Sequence, residues 1–276
     1  MGKVGKRISD RSRHVRLSGG KDYCVICGAH TTLSEDHVPP KVATPFREIV
    51  QYHVTEVYGV KVNERVPGVK SRNGSKFKTI CRACNSLLGE HDNALGDLCK
   101  AVSSGVHHYF TTASYISTHM HFRCDVVSVM RSIAGHMMSA TTTEECRQPP
   151  IDSPFWQGLR EFVMEGKDPS DTHDFYCWFY PYRNSVSAKS VGFVNQGYLA
   201  SVTVLAFYPI AFMVTAAGQA IYPSQASKVL LQSDSIFLDL DSRGFPYARF
   251  PFHGLSGYQL MGLRNQLCVV SVPTDT

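Results

Sequence analysis

Two Cys-x-x-Cys pairs constrain the fold of this chain more than any other feature of its sequence. Cys24 and Cys27 form the first pair, and Cys81 and Cys84 form the second, which begins 54 positions after Cys27. A tight turn lets both sulfurs of such a pair reach one ion, and four thiolates complete the tetrahedral shell of a structural zinc. The sequence therefore predicts one Zn²⁺ site that joins two distant turns, with two unrelated pairs as the alternative.

The composition is typical of a folded protein of a reducing compartment. With 276 residues, of which 43% are hydrophobic and 18% charged, the chain is long enough to bury a core and to form two domains. Its first residues contain no apolar segment of a secretory signal, so we expect a cytoplasmic protein whose thiols stay reduced. The cysteines outside the pairs are expected to be small buried hydrophobic residues: Cys99, Cys124, Cys146, Cys177 and Cys268.

The longest apolar stretch, residues 202–217, fits a buried sheet better than a membrane helix. It is shorter than the roughly 20 residues that a spanning helix needs, and Pro209 interrupts it. We therefore predict two buried β-strands in this stretch and no association with a membrane.

Positive charge is concentrated in the part of the chain that carries the cysteine pairs. Residues 1–100 contain 17 Lys and Arg against 10 Asp and Glu, whereas residues 101–276 contain 11 against 13. Residues 1–22 have few apolar side chains and are predicted to be a flexible basic arm. This arm is either a solvated tail or a segment that neutralises nucleic-acid phosphates, and we favour the second. The predicted nucleic-acid-binding residues are Lys3, Lys6, Arg7, Arg11, Arg13, Arg16, Lys76, Lys78 and Arg82.

Hydrophobic periodicity predicts an α+β protein with four parts. In chain order, these are the arm (1–22), a zinc-stapled N-terminal domain (23–100), a helical connector (101–171) and an antiparallel β-rich accessory domain of unknown role (172–276). Helices are predicted from Asn85, from about residue 124 and from an N-cap at Asp152 or Ser153. Strands are predicted at 174–183, 189–195, 198–209, 210–216, 235–241, 247–252 and 267–273.

Two segments allow more than one interpretation. The insertion between Pro40 and Lys76 contains a predicted strand near residues 54–62, and its basic residues make it either a DNA-contacting flap or a scaffold. The aromatic run at residues 174–184 is either a platform for stacking bases or part of a sheet core, and we favour the core.

Three polar residues stand at fixed places relative to the cysteine pairs. Asp36 and His37 lie on a predicted strand after the first pair, and Asn85 directly follows Cys84. A zinc ion that joins the pairs would bring these two places face to face. The pattern of Cys-x-x-Cys, Asp-His-x-x-Pro and Cys-x-x-Cys-Asn resembles the HNH (His-Me finger) nucleases, which have a ββα-metal fold. Over residues 23 to about 95 it is most similar to the four-cysteine zinc branch, as in phage recombination endonuclease VII.

This resemblance implies a role for each of the three polar residues. Asp36 and Asn85 are implied to hold one catalytic Mg²⁺ or Mn²⁺ through oxygen atoms, the donors that hard cations prefer. His37 is implied to be the general base that activates the attacking water, on the opposite face of the strand from Asp36. The metal is implied to stabilise the charge that develops on the phosphate and on the leaving oxygen.

The chain also departs from the family pattern. Many HNH nucleases carry an Asn five residues before the second pair, whereas this chain has Lys76 there and its nearest upstream Asn is Asn73. An Asp-His pair before prolines is otherwise polar turn material, and an Asn after a metal-binding turn is otherwise a helix cap. His91 and Asp92 are expected to be exposed. The histidines without an expected role are His107, His108, His119, His121 and His136.

The sequence therefore predicts a metal-dependent HNH-type endonuclease that hydrolyses phosphodiester bonds in DNA. Double-stranded DNA is the expected partner, and RNA cleavage by the same site is a lesser variant. The alternative function is a non-catalytic, zinc-stapled nucleic-acid-binding protein. A role in phage or bacterial defence is implied by analogy alone.

Overall fold

The computed structural model describes residues 20–44, 48–54, 57, 68–112, 117–195, 197–253, 260–261 and 268–274. This part of the chain is an α+β structure, as predicted, with a large antiparallel sheet. Its α-helices are α1 (Arg82–Thr111), α2 (Val126–Ser139) and α3 (Pro154–Glu165), and short 3₁₀ helices span Glu145–Arg147 and Ser242–Tyr247.

The strands fall into one large sheet and three two-stranded pairs. They are β1 (Asp22–Tyr23), β2 (His30–Thr31), β3 (Leu33–His37), β4 (Glu48–His53), β5 (Val69–Arg72), β6 (Lys76–Cys81), β7 (His119–Arg123), β8 (His173–Phe179), β9 (Ser185–Asn195), β10 (Tyr198–Phe207), β11 (Ile210–Ala216), β12 (Ser227–Lys228), β13 (Ser235–Asp239), β14 (Leu260–Met261) and β15 (Cys268–Pro273). The large sheet has the order β12-β8-β11-β10-β9-β15-β4-β5, with β14 also paired to β9. The small pairs are β1–β2, β3–β6 and β7–β13.

Both faces of the large sheet are buried. Because side chains alternate along a strand, Phe175 and Phe179 of β8 face the cluster that contains the helices, while Tyr176 and Trp178 face a second cluster. The second cluster is completed by residues such as Ala248 and packs beneath the 242–253 segment. Burial on both faces explains the continuous apolar stretch that β10 and β11 share, and it confirms the prediction of two buried strands. Within the described residues, no helix is both long and apolar enough to cross a membrane.

The insertion contributes strands to the large sheet. β4 pairs with β15, which places Val50 opposite Val272, and β5 continues the sheet beyond β4. The strand predicted near residues 54–62 is wrong at its start, because β4 ends at His53 and Val54 is helical; residues 58–62 lie outside the described residues. The predicted domain division stays a prediction, but residue 100 lies inside α1, and one apolar cluster extends from Cys24 to Val269.

One further sequence prediction is wrong. Residues 247–252 do not form a strand; they continue from the 3₁₀ helix into turns. Pro246 and Pro251 lack the N–H that a sheet needs, and the Ala248 carbonyl accepts a hydrogen bond from Trp178 Nε1 at 2.8 Å instead of from a strand. The segment predicted as a helical connector contains α2 and α3, and also the strand β7, which pairs with β13.

Strands β3 and β6 form an antiparallel pair that is followed directly by a helix. This pair is called the hairpin below, although residues 38–75 connect its two strands. β3 and β6 are antiparallel, with Leu33 opposite Cys81, and α1 begins at Arg82, one residue after β6 ends. Cys81 is the N-cap of α1, and its sulfur accepts from the Cys84 N–H. The helix predicted from Asn85 is therefore confirmed, although it starts three residues earlier. Helix α2 packs against α1, β3 and β6 and closes the other side of this unit.

Candidate functional site

The four paired cysteines converge on one point. Cys24 and Cys27 lie in the turn between β1 and β2, Cys81 ends β6, and Cys84 lies in the first turn of α1. Their sulfur atoms all lie within 4.8 Å of one another, and the Cys27 and Cys81 sulfurs are 3.7 Å apart. With zinc–sulfur bonds of about 2.3 Å, tetrahedral geometry separates the sulfurs by about 3.8 Å. The cysteine cluster therefore fits a zinc ion, as the sequence predicts.

Backbone hydrogen bonds hold the first cysteine pair against β6. The turn closes through the Gly28 N–H, which donates to the Cys24 carbonyl at 2.9 Å, and Gly28 has a φ of 73°, which glycine adopts without strain. Val25 N–H donates to the Thr79 carbonyl at 3.0 Å, and Cys81 N–H donates to Cys24 Sγ at 3.3 Å. The two halves of the cluster are thus joined by the main chain as well as by the sulfurs.

Close contact shifts the pKa values of three thiols in the cluster. A hydrogen bond from the Cys84 thiol, helped by backbone N–H donors, lowers the pKa of Cys24 to about 5. Burial raises the pKa of Cys27 to about 11, and the hydrogen bond to Cys24 raises the pKa of Cys84. Neighbouring thiolates repel one another, and a divalent ion bound to the four sulfurs would remove that repulsion.

Asp36 and His37 lie at the end of β3, and Asn85 lies on α1. The cysteine cluster joins the hairpin to this helix. Asp36 and His37 are the last two residues of β3, and Asp36 is buried whereas His37 is half-buried. Asn85 reaches back from the first turn of α1, where its Nδ2 donates to the Glu35 carbonyl at 2.8 Å and to Ser34 Oγ at 3.2 Å. The structure therefore places Asn85 against the two residues that precede Asp36.

The strand pairing is irregular where these residues lie. Ser34 is opposite Ile80 and Asp36 is opposite Phe77, so β6 has one residue more than β3 over this interval. Such a bulge turns the strand and redirects its side chains. Asp36 points towards α2, away from solvent.

Two side chains of α2 hold the Asp36 carboxylate by one oxygen. His136 Nδ1 lies 3.0 Å from Asp36 Oδ2, and Ser139 Oγ donates to the same oxygen. Within the described part of the chain, the other oxygen, Oδ1, makes no hydrogen bond. Two donors on one oxygen fix the orientation of this buried carboxylate.

His136 connects Asp36 to a second carboxylate. Its Nε2 lies 2.9 Å from Asp92 Oδ1, which also accepts from Ser132 Oγ at 2.8 Å. Burial lowers the pKa of His136, but the charges and hydrogen bonds of Asp36 and Asp92 outweigh burial and raise the pKa to about 10. His136 is therefore an imidazolium that donates from both ring nitrogens.

These contacts correct two of the sequence predictions. His136 is not without a partner, and the Asp92 side chain is only 20% exposed and belongs to the same network. His91, also expected to be exposed, is half-buried, and its Nδ1 lies 3.3 Å from Ser128 Oγ. The missed signal is in α2, where Ser132, His136 and Ser139 recur at helical spacing on a face that is otherwise apolar.

His37 has the properties of a neutral imidazole. Burial lowers its pKa, and the nearby charges of Lys41 and Lys76 lower it further. Its Nε2 is buried and has no hydrogen-bond partner in the residues that the structure describes. The ring is therefore neutral at neutral pH and keeps a nitrogen able to accept a proton.

The predicted nucleic-acid-binding residues are only partly within the described residues. Lys76 lies on β6 and pairs with Glu35 at 3.2 Å, Lys78 is half-buried and Arg82 is exposed at the start of α1. Lys76 and Lys78 belong to β6, which pairs with the strand that carries Asp36 and His37, and Arg82 follows β6 directly. The residues of the arm lie outside the described part: Lys3, Lys6, Arg7, Arg11, Arg13 and Arg16.

A separate cavity of about 700 Å³ lies between α1 and the ends of the large sheet. Val42 and Ala43 of the turn after β3 line one side, and Arg183 and Tyr208, from connections between strands of the large sheet, line the other. Asp36, His37 and Asn85 do not line this cavity.

Comparisons with protein-family models, with curated proteins and with solved structures gave no match. The functional argument therefore rests on the geometry of the cysteine cluster, the hairpin and α1.

Proposed function

We propose that the protein is a metal-dependent HNH-type endonuclease that hydrolyses phosphodiester bonds in double-stranded DNA. The hydrogen bond from Asn85 Nδ2 to the Glu35 carbonyl carries this proposal. It links residues 50 positions apart and brings the start of α1 against the residue that precedes Asp36 and His37. The site residues of the HNH family are grouped in this way, on two antiparallel strands and the helix that follows them.

The oxygen atoms at this place suit a hard divalent cation. Asn85 uses its Nδ2 for the hairpin, and Asp36 uses its Oδ2 for α2. Neither Oδ1 makes a hydrogen bond to a described residue. In this proposal Asp36 and Asn85 would hold one Mg²⁺ or Mn²⁺, which would supply positive charge near the phosphate.

His37 is the proposed general base. It is neutral at neutral pH and follows Asp36 on the strand, so that the two side chains lie on opposite faces. Its ring makes no hydrogen bond within the described residues, which leaves it able to turn towards a water and accept the proton. Zinc on the four cysteines is proposed to hold the hairpin and α1 in register.

The charge of the chain supports a nucleic-acid substrate. The first 100 residues carry 17 basic against 10 acidic residues, and Arg82 is exposed next to the hairpin. Sequence-independent affinity for DNA arises mainly from such basic side chains at phosphates.

A second function is favoured by the burial of the site. The Asp36 side chain is 3% exposed and His37 Nε2 is buried. A zinc-stapled nucleic-acid-binding protein without catalysis would need the cysteine cluster and the basic residues but not an open carboxylate.

Cleavage of supercoiled plasmid with Mg²⁺ or Mn²⁺ at low salt distinguishes the two functions. The wild-type protein is compared with His37→Ala and with His107→Ala, an exposed histidine near the far end of α1, at matched zinc content. We expect nicking or linearisation by the wild type and His107→Ala, and a loss of about 100-fold or more in His37→Ala, because general bases contribute rate factors of that order. DNA bound but uncut by all three proteins would favour the binding function.

A further inference from the structure

A chain of buried polar contacts runs from the hairpin to α1 through α2. It consists of Asp36 on β3, His136 on α2 and Asp92 on α1, joined by contacts of 3.0 Å and 2.9 Å to the two ring nitrogens of His136. The residues in contact are 100 and 44 positions apart in sequence, so this network of contacts exists only in the folded protein. Ser139 and Ser132 add one donor at each end.

Stability alone is a poor reason for a network of this kind. Removing charges from water is costly, and well-packed apolar residues in place of a buried ion pair are often neutral or stabilising. An apolar residue at position 136 would also continue the apolar face of α2, which already includes Met130 and Ile133. The network therefore calls for a role that packing does not supply.

The approach of α2 to α1 is set by a glycine next to His136. A Cβ on Gly135 would lie 2.1 Å from Leu88 Cδ2 and 2.9 Å from Leu88 Cδ1. Any larger residue would push the helices apart unless Leu88 moved, and Leu88 is fully buried. The glycine thus lets the imidazole reach both carboxylates.

We infer that His136, oriented by Asp92, is a positioning residue that fixes the Asp36 carboxylate so that its Oδ1 faces the proposed metal position. This inference rests on the proposed function. His136 and Ser139 hold Asp36 by Oδ2 alone, which restrains rotation of the carboxylate. Carboxylates that bind metals are commonly held in this way by hydrogen bonds to the oxygen that does not bind.

Asp92 acts on Asp36 indirectly. It fixes the ring of His136 through Nε2, and it can act on Asp36 only through that ring. Loss of Asp92 is therefore expected to matter only while His136 is present. A purely structural role would leave the metal affinity of the folded variants unchanged.

Binding of Mn²⁺ to the full-length, zinc-loaded protein tests the inference without measuring cleavage. Free Mn²⁺ is followed by its electron paramagnetic resonance signal in the wild type, Asp36→Ala, His136→Gln, Asp92→Asn and the double variant. His173→Gln is the control, because His173 is a buried histidine in the large sheet, away from the hairpin. Zinc content and circular dichroism show that each variant is folded.

We expect the wild type and His173→Gln to bind Mn²⁺ alike, and Asp36→Ala to lose this binding. His136→Gln should weaken Mn²⁺ binding by about 10- to 100-fold, the usual effect of removing a partner of a metal ligand. Asp92→Asn should weaken it less, and the double variant should bind no more weakly than His136→Gln.

Two results overturn the inference in different ways. Equal Mn²⁺ affinity in the wild type and a folded His136→Gln would remove the positioning role and leave the proposed nuclease site intact. No Mn²⁺ binding by the wild type would remove the proposed metal and the inference together. If His136→Gln does not fold, Asp92→Asn and Ser139→Ala give the same comparison, and unchanged affinity in both overturns the role.

Discussion

Two buried carboxylates, one in the hairpin region and one in the large sheet, are held in different ways. Asp174 on β8 uses both oxygens: Oδ1 pairs with Lys228 Nζ at 2.6 Å, and Oδ2 accepts from the Gly218 N–H at 2.9 Å. Asp36 uses Oδ2 for both of its donors, and its Oδ1 has no hydrogen bond from the described residues. Asp174 is 6% exposed and Asp36 is 2% exposed, so exposure does not distinguish them.

The difference shows how a structural carboxylate differs from one available for binding. A carboxylate whose oxygens are both bound by the protein has little capacity left for a ligand. A carboxylate that is held firmly by one oxygen keeps the other, in a fixed direction. The two regions can be perturbed separately, so a given change is expected to affect either Asp36 or Asp174.

Loss of zinc should have the largest effect, and it should act on the hairpin region alone. Cys81→Ser removes a ligand, and structural zinc sites in small peptides contribute about 10–16 kcal/mol to folding. We expect amides of residues 22–37 and 76–84 to lose protection from hydrogen exchange, while β8, β10 and β11 keep theirs. Asp36 would then lose the contacts that hold its carboxylate, whereas Asp174 would keep its contacts.

The matched control for zinc loss is Cys268→Ala. Cys268 is buried on β15 and is not part of the cysteine cluster, so its replacement should leave the zinc content unchanged. Equal loss of protection in the hairpin and in the large sheet of Cys81→Ser would mean that the two regions unfold as one unit.

The parts of the site that the sequence predicts are those set by local spacing. The cysteine pairs, the Asp36–His37 dipeptide and Asn85 are each fixed by a turn, a strand end or a helix start, so short patterns identify them. The cysteine cluster, the helix after it and the antiparallel sheet are confirmed by the structure. The catalytic roles of these residues stay predictions.

The parts that the sequence did not predict depend on distant partners. His136 lies 100 positions from Asp36, and β4 pairs with a strand more than 200 positions away. Neither contact leaves a local pattern, because helix packing and sheet order decide them. The serines and the histidine on the buried face of α2 were the one available signal, since polar residues on such a face need partners.

A smaller effect is expected from Gly135→Ala, which moves α2 away from α1. The new Cβ would overlap Leu88, and overpacking of a buried site costs about 1–3 kcal/mol. We expect a lower urea midpoint and a weaker hold on Asp36, with no change at Asp174. Gly89→Ala on α1 is the control: it is exposed and has no atom within 4 Å of a new Cβ, so it should gain up to about 1 kcal/mol. Equal midpoints for the two variants would contradict the close packing of α1 on α2.

The smallest effect is expected at Asp174, and it depends on pH. Burial raises the pKa of Asp174, but the Lys228 ion pair and the Gly218 N–H outweigh burial and lower it. A carboxyl whose pKa is lower in the folded state stabilises the fold above its unfolded pKa of about 3.9, and this contribution is lost as the pH falls through the folded pKa. Lys228 is 53% exposed, so the pair contributes no more than about 1 kcal/mol. Urea unfolding at pH 7 and at pH 3 should show Asp174→Asn less stable than the wild type at pH 7, with the gap narrowing at pH 3. A gap that stays constant with pH would show that Asp174 acts through its shape and not its charge, and the contrast with Asp36 would then rest on hydrogen bonding alone.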